Sequence, residues 1–599
     1  MNSELTNIFS GRAEVYHKKS SRLRAKSRKV AIVRLVFFLV SIVAIFVFIN
    51  DRLLEYAIAG FSLFLLVFVL LVRYHKKLND KQRFFASLEQ INNNELQLIN
   101  HNPSVNPDGE RFIDDAHPYT SDLDIFGSGS LFQFLCRTHG HGGQDTLANY
   151  LKSPASQEEV SLRQAAVKEL KDKVDWRQKF QAVTFSTPKD HNPQKLWQWI
   201  AEDPFVSKSK FLSTAIRVMP VLSIIAVIGW LFYWPIYVPL LVIVVNISIL
   251  NRYKVQTREI REYASENCHT AKVYVSQIEM LENEQFASSK LQSLKSYVNT
   301  GDGSKASGAL AEFGKYCDFL EASNNPYFYL VMNWFFLSDL IQIKRIESWK
   351  SKHQGEVENW IRTVYELEAL ASIAGYYHIN PTFHFPEITD RPFVYHAKAL
   401  GHPLIKTKDR VLNDFESEGA GVVKIITGSN MSGKSTFLRT LGINGVLAFS
   451  GAPVCAENCC ISVMDIFTSM RTKDSLQENT SSFYAELKRL RQLLELVGKG
   501  TKVFFMLDEI LKGTNSADRH NGAMALVRQL KKEGVSGLVS THDLELASLE
   551  EEDPQHISNL NFSSDIKDGE LFFDYKLKEG VCTSFNASLL MKKMGINME

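Results

Sequence analysis

Apolar positions fall along this chain in three rhythms. Two stretches are apolar almost without interruption, residues 30–72 and 211–250. In the first, Leu35 to Ile49 is broken only by Ser41, Tyr56 to Val72 is similar, and Asn50-Asp51-Arg52 lies between them. The second breaks at Tyr233-Trp234-Pro235. A spanning helix needs about 20 mostly apolar residues. Each stretch therefore predicts two helices joined by a tight turn, a hairpin that satisfies its backbone polar groups internally. Core helices of soluble proteins rarely stay apolar on every face for so long. A cleaved leader is disfavoured, because the basic segment is long and a second apolar helix follows at once.

The second rhythm is helical. Charged and apolar residues interleave from Asn79 to Lys210, with a break at the Pro- and Gly-containing loop around residues 102–109, and again from Asn251 to Pro386, with a turn at Gly301-Asp302-Gly303-Ser304. The third begins near Arg391. Short β-branched runs at 422–427, 501–507 and 535–540 alternate with helical patterns, which predicts a parallel α/β sheet. The plan is thus a basic cytoplasmic tail and transmembrane hairpin over 1–78 (helices about 30–49 and 54–72), a helical region over 79–210, a second hairpin over 211–250, a second helical region over 251–390 and an α/β domain over 391–599.

Charge orients the hairpins. Arg12, Lys18, Lys19, Arg22, Arg24, Lys26, Arg28 and Lys29 precede the first, and Arg73, Lys76 and Lys77 follow it. Lys208, Lys210, Arg217, Arg252 and Lys254 flank the second, while the short outer loops carry almost no positive charge. The positive-inside rule predicts a multi-pass protein of the cytoplasmic (inner) membrane with both termini and the α/β domain in the cytoplasm. Composition changes this little. Among 599 residues, 45% are hydrophobic and 22% charged, which excludes a mostly disordered chain. A net charge of +2 does not indicate a globally basic nucleic-acid binder. The odd count of seven Cys argues against a disulfide scaffold. Cys455, Cys459 and Cys460 read as buried apolar residues in or beside a strand rather than as metal ligands, and His139-Gly140-His141 lacks the partners of a metal site.

The chemistry sits in the α/β domain. The strand 422–427 runs into Gly428-Ser429-Asn430-Met431-Ser432-Gly433-Lys434-Ser435, then a helical pattern opens at Thr436. This is G-x-x-x-x-G-K-S between strand and helix, the context of a phosphate-binding loop. Its glycines let backbone N–H groups wrap phosphates. Lys434 is expected to reach the β- and γ-phosphates of ATP and Ser435 to ligate Mg²⁺. The apolar strand ending at Leu507 delivers Asp508, suited to the Mg²⁺ shell, and Glu509, suited to orienting the attacking water. A third strand ends in Thr541-His542, and His542 is expected to sense the γ-phosphate.

These residues resemble the MutS family of DNA mismatch-repair ATPases, within the ABC-type ATPase class. The likeness lies in Thr427 to Thr436, with Asn430-Met431 inside the loop, in Asp508-Glu509-Ile510-Leu511-Lys512-Gly513-Thr514-Asn515, and in Ser540-Thr541-His542. Asn479 to Leu487 resembles the segment whose serine, Ser481 here, reaches the γ-phosphate of a dimer partner. Residues 401–404 and 411–414 resemble the segment near the adenine, and 572–577 the terminal Tyr-x-Leu segment. Tyr119 to Pro154 and Glu366 to Ala374 resemble the start and end of the helical lever, which the second hairpin would interrupt. The resemblance implies an ABC-type P-loop ATPase domain behind a helical lever, composite sites in a homodimer, and action on DNA without sequence specificity.

Departures limit it. Full members wedge a Phe-x-Glu motif into a mismatch, and the first 110 residues contain none. The copies at 319–321 and 385–387 lie in the helical region and read as chance matches. Leu511-Lys512 stands where the family has Gly-Arg. Two rival readings remain: an ATP-dependent membrane scaffold acting on an unknown protein partner without DNA, and a transporter-associated ATPase, against which the chain lacks a Leu-Ser-Gly-Gly-Gln motif.

Overall fold

The computed structural model describes residues 2–185, 199, 203–300, 303–429, 431–471, 482–567 and 570–582, Arg52 excepted. Helices α1 (Asn2–Asn50) and α2 (Leu54–Ile99) run antiparallel. Gln82 Nε2 donates to Ser20 Oγ at 3.2 Å, Ser27 Oγ donates to Asn79 Oδ1 at 2.5 Å, and the Phe38 and Phe68 rings lie 5.9 Å apart. The basic segment expected as a tail is instead the first half of α1. Its charges hide a helical stripe: Leu5, Phe9, Ala13 and Tyr16 recur every three or four residues and are buried. A buried ion pair ties α2 to the rest, with Arg137 Nε and Nη2 donating to the two carboxylate oxygens of Glu95 at 2.8 and 3.0 Å.

The helical part continues through α3 (Leu131–Leu135), α4 (His141–Lys152), α5 (Gln157–Asp172) and α6 (Val174–Phe185). The second apolar stretch forms α7 (Lys210–Phe232) and α8 (Tyr237–Arg252). Then come α9 (Lys254–Asn283), α10 (Ser289–Tyr297), α11 (Ala306–Ala322), α12 (Pro326–Phe336) and α13 (Ser338–Ile379). With 42 residues, α13 is about 63 Å long and runs between the second apolar pair and the sheet. By length and composition, α1, α2 and α7 are apolar enough to cross a membrane, and α8 qualifies when joined across a 73° bend to the start of α9. Two segments linked by their sequence resemblance meet here: Thr138 Oγ1 donates to Glu368 Oε2 at 2.8 Å and the Arg137 amide to Ser372 Oγ at 3.2 Å.

The C-terminal part is mixed α/β. One sheet has the order β1-β5-β2-β3, from β1 (Glu387–Thr389), β2 (Tyr395–Leu400), β3 (Asn413–Ser417) and β5 (Asn458–Ser462). The central sheet has the order β10-β9-β4-β8-β7-β6, from β4 (Val423–Gly428), β6 (Asp465–Ser469), β7 (Val503–Asp508), β8 (Ser536–Thr541), β9 (Ile557–Lys567) and β10 (Glu570–Glu579). All its pairings are parallel except β9–β10. Helices α14 (Lys434–Ser450), α15 (Ser482–Gly498) and α16 (Ser516–Lys532) accompany it, and the short α17 (Leu544–Ala547) and α18 (Leu549–Glu552) follow β8. Val503 to Leu507 are buried on both faces of β7, as a sandwiched parallel strand requires.

One hydrophobic core runs from the helical part into this sheet. A Cβ on Gly442 of α14 would come within 2.7 Å of Leu123, so glycine admits that side chain. Asp122 receives Thr468 Oγ1 at 2.8 Å and the amides of Met470 and Arg471 at 3.1 Å. Arg471 forms a two-pronged pair with Asp124 at 2.8 Å. The loop before α3 is thereby clamped to the end of β6.

Candidate active site

Because β4, β8 and β7 are parallel neighbours, their C-terminal ends share one edge of the sheet, where open α/β folds place ligands. The loop after β4 carries Ser429, Met431 and Ser432 and enters α14 at Gly433, whose φ of +107° only glycine adopts easily. At Gly428 (φ +154°) a Cβ would stand 2.7 Å from the Phe562 carbonyl oxygen, and at Gly433 3.1 Å from the Tyr575 ring, so both glycines keep the loop tight. The Ser429 and Ser432 hydroxyls are buried without a hydrogen-bond partner among the described residues. Such a loop, with donors turned inward at a helix N-terminus, fits a polyphosphate.

Lys434 opens α14 and is buried. Its Nζ donates to the carbonyls of Gly428 at 2.8 Å and Ser429 at 3.0 Å and lies 3.5 Å from His542 Nε2. Burial lowers its basicity from the usual lysine value. Beside the loop lies a cavity of about 470 Å³, a small-molecule size. Ser429, Met431, Ser432, Gly433, Lys434, Ser435, Thr436 and Glu509 line it on the loop side. Across from them stand His402, Ile405, Val411, Asn413, Phe562 and Tyr575. That wall is mainly apolar and aromatic, as an adenine would want, and burial drops the His402 imidazole to about 4, so it stays neutral. Asn413 fixes the wall: its Nδ2 donates to the Tyr575 carbonyl at 3.0 Å and its Oδ1 accepts from the Leu577 amide at 2.9 Å.

Glu509 follows β7, and its amide donates to the Ser540 carbonyl at 2.9 Å. Its backbone sits in the left-handed region (φ +52°), as do Leu511 (φ +61°) and Met431 (φ +68°), so strained residues cluster around the cavity. Its carboxylate is held from two sides, by His542 Nε2 at 2.5 Å and Lys512 Nζ at 2.9 Å. Hydrogen bonding with His542, and then with Lys512, lowers its pKa to about 2. A carboxylate this firmly ionised is a weak proton acceptor but a good acceptor for orienting water. Asp508 receives a short hydrogen bond from Ser540 Oγ. Ser435 lines the cavity, and no described hydrogen bond joins it to Asp508. Both are hard oxygen donors of the kind Mg²⁺ takes.

The structure thus brings together Gly428, Lys434, Glu509 and His542, and puts Ser435 and Asp508 at the same sheet edge. Asn430 and Ser481 lie outside the described residues. Two contributors were given no role by the sequence. Phe562 lies in β9 with nothing in its surroundings to mark it. Glu486, on α15, accepts a short hydrogen bond from the Leu511 amide and steadies the loop behind Glu509. Lys512, a departure from the family pattern by sequence, is one of the two cations on Glu509. Gly513 packs so closely under Phe483 of α15 that a Cβ would come within 2.6 Å.

Comparison with known proteins agrees with this geometry. Residues 424–593 match the family model MutS domain V, an ABC-like ATPase domain. The DNA mismatch repair protein MutS of Thermotoga petrophila is 34% identical over 183 residues, covering 30% of this chain and 23% of that protein. The corresponding protein of Staphylococcus epidermidis is 30% identical over 229 residues, 37% of this chain and 25% of its own length. Endonuclease MutS2 of Thermus thermophilus is 36% identical over 142 residues, 24% of this chain and 18% of its own. The chain therefore matches a quarter or less of the length of each of these relatives.

Proposed function

Because residues 424–593 match MutS domain V, we propose that this chain is a membrane-anchored MutS-like ATPase that couples ATP binding and hydrolysis to DNA. The observation that carries the ATPase reading is the convergence of Lys434, Glu509 and His542 beside the cavity at the ends of β4, β7 and β8. In this reading the 428–435 loop wraps the triphosphate and Lys434 neutralises its β- and γ-oxygens. Ser435 and Asp508 would hold Mg²⁺, which supplies charge neutralisation across the phosphates. Glu509 orients the attacking water, and His542, tied to Glu509, reports the γ-phosphate to β8 and to α17 beyond it. Ser481 of a second copy completes each site, so the ATPase domains work as a homodimer. Closure of the dimer travels through the Asp122 clamp into the helical lever, and α1–α2 and α7–α8 anchor that lever as two hairpins in the cytoplasmic membrane.

ATP turnover of the full chain in detergent, measured with duplex, mismatched and branched DNA and without DNA, tests the coupling. Stimulation that fades steeply with salt, as phosphate contacts do, is the expected result. Turnover indifferent to every DNA would overturn it.

A further inference from the structure

Helix α12, Pro-Tyr-Phe-Tyr-Leu-Val-Met-Asn-Trp-Phe-Phe, is built inside out. Its one fully buried side chain is Asn333. Tyr327 is 83% exposed, Val331 47% and Leu330 39%. Phe328, Tyr329, Trp334, Phe335 and Phe336 are half-buried, where a soluble helix of this composition would bury most of its aromatic side chains fully. At 11 residues it is about 16 Å long, apolar but too short to span a hydrocarbon slab of about 30 Å.

Its neighbours likewise leave large apolar side chains outside, although Leu212, Ile216, Ile249 and Leu250 are buried. In α7 and α8 the buried polar side chains are Ser223 and Asn246, while Val218, Val221, Ile224, Ile225 and Val244 face outward. Asn246 joins the three helices. Its Nδ2 donates to the Trp334 carbonyl at 2.8 Å and lies 3.3 Å from Ser223 Oγ. The Trp334 carbonyl belongs to the last turn of α12, where intrahelical N–H donors run out. Asn325 caps the other end, accepting from the Tyr327 amide at 3.0 Å. Both ends are thus served by protein side chains, as lipid would demand. Ser223 lies less than two turns beyond Arg217, and Asn246 as far before Arg252, about 9 Å along each helix. The tie sits just inside the basic boundary of the second apolar pair.

We infer that α12 is a third membrane element, a short helix seated in lipid against the cytoplasmic end of the α7–α8 hairpin, fixing the near end of α13 to the bilayer; the inference rests on the membrane reading of that hairpin. The link to α13 is explicit. Leu337, between the two helices, is left-handed at φ +50°. Asp339 then accepts from Ser323 Oγ at 2.7 Å and Asn333 Nδ2 at 3.0 Å, and faces Arg261 at 3.5 Å. This polar knot holds α9, α11, α12 and α13 together, so a displacement of α13 reaches lipid through α12.

Single cysteines in the full chain test this. The background is Cys460→Ser, because the other six cysteines are buried. An NBD probe is placed at Tyr327→Cys or Val331→Cys, at Val40→Cys and Ile225→Cys in the proposed hairpins, and at the exposed Ser351→Cys on α13. The protein is reconstituted in phosphatidylcholine–phosphatidylglycerol vesicles, and quenching by doxyl-labelled lipid is compared with quenching by aqueous iodide. Lipid quenching at 327 and 331 several-fold above that at 351 is expected. If 40 and 225 are lipid-quenched while 327 and 331 behave like 351, the inference fails alone. If 40 and 225 are also aqueous, the membrane reading fails with it. Shielding of 327 and 331 from both quenchers that disappears as protein is diluted into lipid would mean a second copy covers them, which overturns the lipid assignment.

Discussion

In the α/β part, Phe467, Phe504 and Phe505 lie wholly inside, and the charged groups Lys434 and Glu509 gather at one sheet edge. In the apolar stretches of α1, α2, α7 and α8, and in α12, large apolar side chains also lie outside: Phe46, Leu66, Ile225 and Tyr327 face outward, while the polar Ser223, Asn246 and Asn333 are within. A single sorting rule produces both patterns if the surrounding solvent differs. Water drives apolar area inward in the first region. An apolar medium would remove that drive in the second and leave hydrogen bonds between helices as the specific contacts. Among the described residues the two regions are joined by the long helix α13 and by the Arg137–Glu95 tie between the segment before α4 and α2.

Four substitutions probe this contrast, from the largest expected effect down. Glu509→Gln preserves shape and removes the charge that orients water, so turnover should fall roughly 10²–10⁴-fold while ATP still binds; steady-state phosphate release with equilibrium nucleotide binding checks both. Arg137→Ala leaves Glu95 buried and unpaired, and should destabilise the chain by about 3–5 kcal/mol, read as an earlier denaturation midpoint in detergent. A loss under about 1 kcal/mol, the worth of a surface pair, would remove this tie from the account. Asn246→Leu should cost only about 1 kcal/mol, because polar contacts between helices in an apolar medium are individually modest; thermal inactivation in detergent measures it.

The smallest effect concerns pH. Glu509 is ionised in the fold down to about 2, below the ordinary glutamate value of about 4.3. Its ionised form therefore favours the folded site above the ordinary value, and this contribution fades as pH falls toward 2. In Lys512→Ala one of the two cations is gone and the carboxyl moves up toward its ordinary value. Turnover at about pH 4.5 relative to neutrality should then drop more in the variant than in the parent. Equal ratios would mean that His542 alone sets the charge of Glu509.

Residue order disclosed the loop 428–435, the acids 508–509 and His542, because phosphate chemistry dictates residue types at fixed spacing. It also disclosed β4, β7 and β8, to within two residues, since buried parallel strands read as unbroken apolar runs; β1, β2, β3, β6 and β9 were not foreseen. Other features escaped for physical reasons. The helicity of residues 2–29 is masked by a dense basic face over a thin apolar stripe at Leu5, Phe9, Ala13 and Tyr16. Helix α12 is too short for a hydropathy window. The grip of Lys512 on Glu509 depends on the left-handed turn at Glu509 and Leu511, which no local pattern announces. Phe562 meets the cavity only because β9 crosses to lie beside β4.

The most direct test joins both halves of the molecule in one tube. The full chain is reconstituted in vesicles, loaded with a fluorescent ATP analogue and Mg²⁺, and floated through a density gradient. Parent protein should rise with the lipid and carry nucleotide, while Lys434→Ala should rise without it. A parent that stays at the bottom, or a variant that floats with as much nucleotide as the parent, would contradict a phosphate-loop ATPase carried on lipid-facing helices.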